Sequence, residues 1–502
     1  MNDMTPSVTA PALPTVSEAD RLRIIIGVLL AMLLAALDQT IVAPAIPAMG
    51  AALGGSNFLS WIVSAYFLTA TATTPLYGKI ADIHGRRPTL FAAIGIFVAG
   101  SVICALAPTM WTLIIGRAVQ GLGGGGLMAL AQTVIGDLVP PKERGKFAVY
   151  ISGTWAIASI AGPILGGFIT QHLSWQVIFW LNLPLAAFAV LMTNETLKRL
   201  PWARRNHKLD VLGAVLVVFA TVALMLALAL GPQPQFGWAS PVVLGLLAVA
   251  AGLALMVARH MVVTPQPLIP LEVLGNPVVL TATFSVFFAM AAFIGLTVFI
   301  PLFLQLVLGM SSSQAGVALV GYMVGTVVGA AYAGRTMARV AHYKLRPLVG
   351  LAVGCAGLAW IAWRAASLGF AECELVLIVV GIGSGLQFPV TTVSVQNAVD
   401  PRDIGVVSGV LAFLRALGSS IGIAVVGAVG AASGIAVGMA EPGAGGIVPV
   451  VGHMSGAAFA PVFAAASISL ALGFAMLALM PERPLRGRAK VESVGRWRGR
   501  VQ

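Results

Sequence analysis

The stretch GKIADIHGRRP, residues 78–88, gathers Lys79, Asp82, Arg86 and Arg87 into one short link. On its left runs WIVSAYFLTATATTPLY and on its right TLFAAIGIFVAGSVICAL, each apolar and each about long enough to cross a bilayer. Charge confined to a tight link between two such runs reads as two spanning helices joined at one membrane surface. Extending that reading in both directions decides the fold.

Of 502 residues, 59% are hydrophobic and 9% charged, against the roughly 25% charged of soluble domains. A length that would suggest about three soluble domains loses that meaning when most of the chain belongs in lipid. The first apolar stretch, 24–49, is too long for the core of a signal peptide and reads as a span. Fourteen apolar spans follow from the sequence: 24–49, 58–77, 88–107, 109–136, 147–171, 175–193, 210–230, 241–259, 277–305, 314–334, 347–366, 372–395, 404–432 and 457–480. With the links numbered alternately from an inside N-terminus, all of the 29 Lys and Arg except Arg117, Arg364 and Arg415 fall in inside links and tails, counting Arg259 at the inner end of its span with the link that follows. Cytoplasmic loops retain Lys and Arg in this way, so both termini are expected in the cytoplasm and the number of spans even.

The net charge of +12 and the tail RGRAKVESVGRWRGR raise nucleic acid as a partner. Sorting of the charges by topology, with a basic tail lying near anionic lipid, accounts for them instead, and no nucleic acid is expected. Cys104, Cys355 and Cys373 show neither metal-ligand nor Cys-x-x-Cys spacing, so no metal site and no disulfide framework are expected.

The chain repeats itself. At a constant displacement of 260 residues, the distance from Gly121 to Gly381, Gly123 and Gly125 meet Gly383 and Gly385, and PKERG (141–145) meets PRDIG (401–405). Ser159, Gly162 and Gly167 meet Ser419, Gly422 and Gly427. Even the charged link has a worn copy, GRTMARVAHYKLRP (334–347), longer and without its Asp. Spans four and five therefore correspond to spans twelve and thirteen, as two six-helix halves separated by a two-helix insert require. Parallel six-helix repeats are the plan of transporters that hold solute at midplane between the halves. The expected division is an N-terminal tail (1–23), a first half (24–193), a basic link with the insert (194–276), a second half (277–480) and a basic tail (481–502).

On these residues the sequence resembles the major facilitator superfamily. GKIADIHGRRP resembles the signature between its second and third helices, with Gly78, Asp82, Gly85, Arg86 and Arg87 in place. LIIGRAVQGLGGGG resembles the fourth-helix motif, with Arg117, Gln120 and Gly121, and GPILGGFIT resembles the fifth-helix antiporter motif, with Gly162, Pro163, Gly166 and Gly167. LDQTIVAPAIP resembles the first-helix motif of the fourteen-helix drug:proton antiporter branch, the EmrB/QacA type. Gln176 stands where that branch would place Arg in an outer link. The resemblance implies an all-α integral membrane fold, with the corresponding Asp82 meeting the inner start of the penultimate helix near Arg402 to Gly405. It also implies an acid at the inner end of the fourth helix, for which Asp137 is the candidate, meeting the basic residues of the link. An inner gate latch is the functional reading; topology charges alone are the plainer one.

Asp38 is the sole carboxylate deep in a span. An ionisable group there costs ~2.5–3.5 kcal/mol on insertion scales and by default marks an ion or solute path. Counted from Met49 and Thr109 as outer ends, Asp38 lies about 16 Å deep and Arg117 about 12 Å, close enough in depth to pair. Asp38 is the candidate proton carrier with Arg117 tuning it; a static pair setting helix register is the alternative. Arg415 also falls near midplane and, with Gln39 and Trp155, is a candidate for the solute cavity; bonds to a neighbouring helix are the alternative for Arg415. Trp61, Tyr66 and Phe179 are aromatic candidates for the cavity, for the membrane interface or for packing. Gly121, Gly123 and Gly126 match a dinucleotide-loop spacing, but the run lies inside an apolar helix with no strand before it, and close packing by small residues explains it.

The function expected is proton-coupled export of lipophilic small molecules or drugs by a multi-pass protein of the inner membrane, with antibiotic resistance as its phenotype. No phosphate-binding loop is visible, so neither enzymatic activity nor a cofactor beyond the proton gradient is expected. The expected partners are a small-molecule substrate and the bilayer, with a periplasmic adaptor left open and a monomer as the working unit. Export of a specific metabolite, a receptor or scaffold on the same fold, and a passive channel are the competing readings.

Overall fold

A computed structural model describes residues 18–54, 58–139, 141–198, 210–231, 236–265, 267–310, 312–340, 342–400, 403–435 and 455–485. Expectations resting on the tails, on the Arg-rich link 199–209, on Arg402 and on the loop 436–454 lie outside these residues. Among the described residues the chain is helical, without a strand. In chain order the helices are α1 (Glu18–Ile41), α2 (Ile46–Leu53), α3 (Leu59–His84), α4 (Arg86–Ala105), α5 (Met110–Leu138), α6 (Pro141–His172), α7 (Gln176–Trp180), α8 (Asn182–Lys198) and α9 (Val211–Leu230). They continue as α10 (Pro241–Val263), α11 (Leu271–Leu274), α12 (Pro277–Leu306), α13 (Ser312–Thr336), α14 (Leu345–Arg364), α15 (Phe370–Asn397), α16 (Ile404–Ala432) and α17 (Ala460–Leu479).

The boundaries have local causes. Thr109, Asp210, Ser240 and Asn276 each turn a side-chain oxygen onto an amide of the helix that follows, and Pro241 and Pro277 begin α10 and α12 where a missing N–H costs nothing. Gly85 has φ +99°, a conformation that costs a side-chain-bearing residue dearly, and it is both the end of α3 and the start of α4. That is why the charged link makes its turn within one residue.

Among the described residues thirteen helices are long and apolar enough to cross a membrane. The second expected span, α3, is equally long, but Thr69, Thr71, Thr73, Thr74, Lys79 and Asp82 dilute its apolar character, and it packs between α5 and α16. Two expected spans are broken. The first stops at Ile41, where Pro44 cannot continue the ladder, and resumes as a 3-10 turn and α2. The sixth is split at Leu181 into α7 and α8. Asp38 consequently lies in the last turn of α1, not well inside a helix reaching Met49.

Packing repeats as the sequence does. In the first half α3 packs on α5, α4 on α5, α1 on α6 and α1 on α8; in the second α13 packs on α15, α14 on α15, α12 on α16 and α12 on α17. The halves meet chiefly through α3 on α16 and α13 on α6, with α5 on α16 and α15 on α6 beside them. The paired glycines make the repeat physical. A Cβ on Gly121, Gly123 or Gly125 would strike the carbonyls of Tyr66, Ala93 or Ala70, and one on Gly381, Gly383 or Gly385 those of Tyr322, Gly350 or Thr326. These glycines let three helices approach at backbone distance in both halves, and the dinucleotide-loop spacing of Gly121, Gly123 and Gly126 lies wholly inside α5. The insert, α9 and α10, packs as a hairpin with α9 against α3 and α16, and α10 keeps most of its surface outward.

Candidate functional site

Asp38 is completely shielded, and so is the arginine beside it. Arg117 Nη1 donates to Asp38 Oδ2 at 2.5 Å and to Gln120 Oε1 at 2.7 Å, while its Nε donates to the Ile62 carbonyl at 2.9 Å. The Tyr66 ring lies 4.5 Å from the guanidinium carbon. Asp38 Oδ1 accepts from Gln120 Nε2 at 2.7 Å and from Asn182 Nδ2 at 3.1 Å, and both amides also donate to Ser101 Oγ, at 2.8 and 3.1 Å. Five helices, α1, α3, α4, α5 and α8, thus converge on one carboxylate inside the first half.

Ser101 and Asn182 were not singled out from the sequence. They are neutral residues in apolar runs with no spacing to mark them, and only the packing of α4 and α8 brings them together. Tyr66 belongs to this cluster and not to a solute cavity, and its hydroxyl reaches Gln39 and the Ala35 carbonyl. Gln39 is therefore turned to Tyr66 and is not among the cavity-lining residues. Trp61 and Phe179 pack in an apolar cluster with Cys104, Trp175 and Ile178.

The cavity lies between the halves and, together with the open space at its mouth, amounts to about 810 Å³. Trp155 and Arg415 both line it, with Gln132, Met290, Phe293, Met323, Phe388 and Thr392 among their neighbours. Trp155 and Gln132 precede Arg415 and Thr392 by the repeat displacement of 260, so equivalent positions of the two halves face one space. Behind Trp155, Leu37 and Ala36 of α1 pack on Ala158 of α6, and Thr40 Oγ1 donates to the Ala158 carbonyl at 2.7 Å. The segment carrying Asp38 is thereby held against the helix that forms one cavity wall.

That α1–α6 contact also uses the glycines of the fifth-helix motif. A Cβ on Gly162 would strike Thr40 and one on Gly166 the Ile41 carbonyl, whereas Gly167 has open space before it. Two of the motif's three glycines thus sit at backbone distance from α1. Pro163 lies within an unbroken α6.

Closer to the basic face the halves meet in a seam. A Cβ on Gly78 would strike the Gly405 carbonyl, and one on Gly405 the Asp82 carboxylate. Arg86 bridges two acids, with Nη1 2.6 Å from Asp82 Oδ1 and Nε 2.7 Å from Asp137 Oδ2. Arg87 Nη2 donates to Asn194 Oδ1 at 2.7 Å, tying α4 to α8. Gln396 Nε2 crosses from α15 to the Gln132 carbonyl of α5 at 3.4 Å and to Ser408 Oγ at 3.2 Å. From Gly405 to Arg415, α16 climbs about 15 Å at ~1.5 Å per residue, so the seam lies between the cavity and the basic face.

Two six-helix halves, copies of one another, meeting at a central cavity follow the plan of a multi-pass membrane transporter. The chain belongs to the Major Facilitator Superfamily, whose model matches residues 28–423. It is 32% identical over 417 residues to Multidrug resistance protein 3 of Bacillus subtilis, covering 82% of this chain and 80% of that protein. It is 33% identical over 407 residues to the efflux pump dotC of Dothistroma septosporum, covering 80% and 70%. The fold matches the human organic anion transporter MFSD10 with a TM-score of 0.64 at 18% identity, over 91% of this chain and 99% of that one. It also matches the proton:xylose symporter XylE, with a TM-score of 0.60 at 14% identity over 93% and 97%. At such identities the two structures speak for the fold alone. These relatives are transporters and not enzymes.

Proposed function

We propose that the protein is a proton-coupled antiporter that exports lipophilic small molecules, drugs among them, from the cytoplasm or inner leaflet across the inner membrane. The reading includes fourteen crossings, cytoplasmic termini and the seam as the inner gate. The names of the relatives, a multidrug resistance protein and an efflux pump, support export. The observation that carries proton coupling is the Asp38 cluster, a lone carboxylate at full burial whose charge is balanced by one guanidinium.

Removing Asp38's charge by protonation would leave Arg117 buried without a counter-charge, a state that costs several kcal/mol. The cluster therefore has to rearrange when the proton arrives. Its movable neighbour is the α1–α6 contact at Thr40, Gly162 and Gly166, which backs the Trp155 wall of the cavity. Proton binding at Asp38 thus bears on the shape of the solute's seat, and opening of the seam then presents that seat to the cytoplasm. Arg86 holds Asp82 and Asp137 together while the seam is shut. One charge crossing about 100 mV supplies ~2.3 kcal/mol, enough for a roughly 40-fold gradient at ~1.4 kcal/mol per tenfold.

The test is accumulation of a fluorescent lipophilic substrate in cells with and without a protonophore, wild type beside Asp38→Asn. Export abolished by the protonophore and by Asp38→Asn is expected. Protonophore-sensitive export that survives Asp38→Asn unchanged would remove Asp38 from the coupling path.

A further inference from the structure

The same chain contains two interior arginines in opposite circumstances. Arg117 is neutralised by Asp38 and held by Gln120 and the Ile62 carbonyl. Arg415 lines the central cavity, its Nε is buried with no hydrogen-bond partner, and no ion pair to it occurs among the described residues. Its guanidinium lies 5.6 Å from the centre of the Phe388 ring, an aromatic face and not a counter-ion. Among the described residues no Asp or Glu lines the cavity: the other polar residues on its wall, Gln132, Ser159, Thr326 and Thr392, are neutral. The rest is aromatic, thioether and aliphatic surface.

We infer that the cavity selects amphiphiles carrying a single negative charge, with a carboxylate, sulfonate or phenolate seated on Arg415 and the apolar body against Trp155, Phe293 and Phe388. The inference rests on the export reading only in taking this cavity as the solute's seat. A cation entering here meets a fixed positive charge and no acid. A neutral solute can accept from the buried Nε only through an uncharged oxygen, the weaker kind of bond. An anion removes both penalties through a charge-assisted hydrogen bond, the stronger kind, in surroundings that screen it little. The Arg fork also suits the planar, two-oxygen geometry of a carboxylate.

The experiment is equilibrium binding to the purified full chain in nanodiscs, with no proton gradient. The probes are dansylglycine, dansylamide and dansylaminoethyl-trimethylammonium, which share one body and differ in charge. The anion is expected to bind about tenfold or more tighter than the neutral probe, and the cation most weakly. Arg415→Gln should bring the anion to the affinity of dansylamide, and continued binding of dansylamide shows that the cavity has stayed intact. Arg415→Lys should keep part of the preference. Equal affinities of the three probes for the wild type overturn the inference, as does an anion preference that survives Arg415→Gln. Because binding is read without a gradient, loss of the Asp38 coupling role would leave this result standing, and a flat charge preference would leave export standing.

Discussion

Trp155 on α6 and Arg415 on α16 occupy equivalent positions of the two repeats and face the same cavity. The same repeat position is thus an aromatic surface in one half and a charge in the other. The two should separate in their effects. Trp155→Ala removes apolar contact, worth about 1.5–3 kcal/mol for a fully buried large side chain, from every ligand. Dansylglycine and dansylamide should both lose about tenfold in affinity, with Trp155→Phe retaining most of it. A loss confined to the anionic probe would contradict that division of labour.

The Asp38–Arg117 pair predicts a separation of stability from transport. Asp38→Asn strands the Arg117 charge, and breaking a buried pair by removing one partner costs about 3–5 kcal/mol. The melting temperature of the detergent-purified variant should fall clearly below wild type. Adding Arg117→Met to it, which removes the stranded charge at similar volume, should recover much of that loss. Proton-driven transport in proteoliposomes should be absent from both variants. Recovery of transport together with stability would make the pair a register-setting contact and nothing more.

Much of this was readable in the chain because charge is so rare in it. Lys79, Asp82, Arg86 and Arg87 stand out between two apolar runs, and a lone acid and two arginines inside spans pick themselves out. The 260-residue displacement reveals the repeat because glycines at helix contacts cannot be replaced without collision, so the spacing persists. What stayed hidden depends on packing. Ser101 and Asn182 reach the carboxylate only because α4 and α8 lie beside α1. Tyr66 and Gln39 turn towards each other, a matter of helix rotation that amphipathicity cannot report when both faces of a helix are apolar. The break at Pro44 was masked by the continuous hydrophobicity of 24–49, which carries the chain past the end of α1.

Closure of the seam rests on a lack of side chains. Gly78→Val places two methyl groups where the Gly405 carbonyl lies, so α3 and α16 must part. Ser408, completely buried and bonded to Gln396, reports the separation. In a background carrying Ser408→Cys, Gly78→Val should raise maleimide labelling at that position at least several-fold. Unchanged labelling would show that the helices can relax without opening.

The insert is fastened by Asp210. Burial pushes its carboxyl up, but hydrogen bonds from the Gly213 amide, the His260 ring and the Leu268 amide outweigh burial and hold it below the ordinary value of 3.8. A group depressed in the folded state contributes fully above its unfolded value and loses that contribution as pH falls through the lower folded one. Hydrogen-exchange protection of α9 and α10 should therefore stay level from about pH 8 to pH 5 as far as this carboxyl is concerned, and decline only below about pH 4. Asp210→Ala should weaken protection at every pH in that range, because the cap on α9 and the ties to 260 and 268 go together.

A negatively charged solute changes the electrical account of each turnover. If one proton enters as one anion leaves, two charges cross the field in the same sense, and about 100 mV then supplies ~4.6 kcal/mol, against ~2.3 for a neutral solute. In proteoliposomes with equal pH on both sides, a potassium gradient with valinomycin should drive dansylglycine more steeply than dansylamide, with roughly twice the dependence on millivolts. Arg415→Gln should weaken dansylglycine transport through binding without changing the charge moved per molecule. Identical voltage dependence for the two probes would mean that the anion travels with a second proton, and the solute would then cross the membrane as its neutral acid.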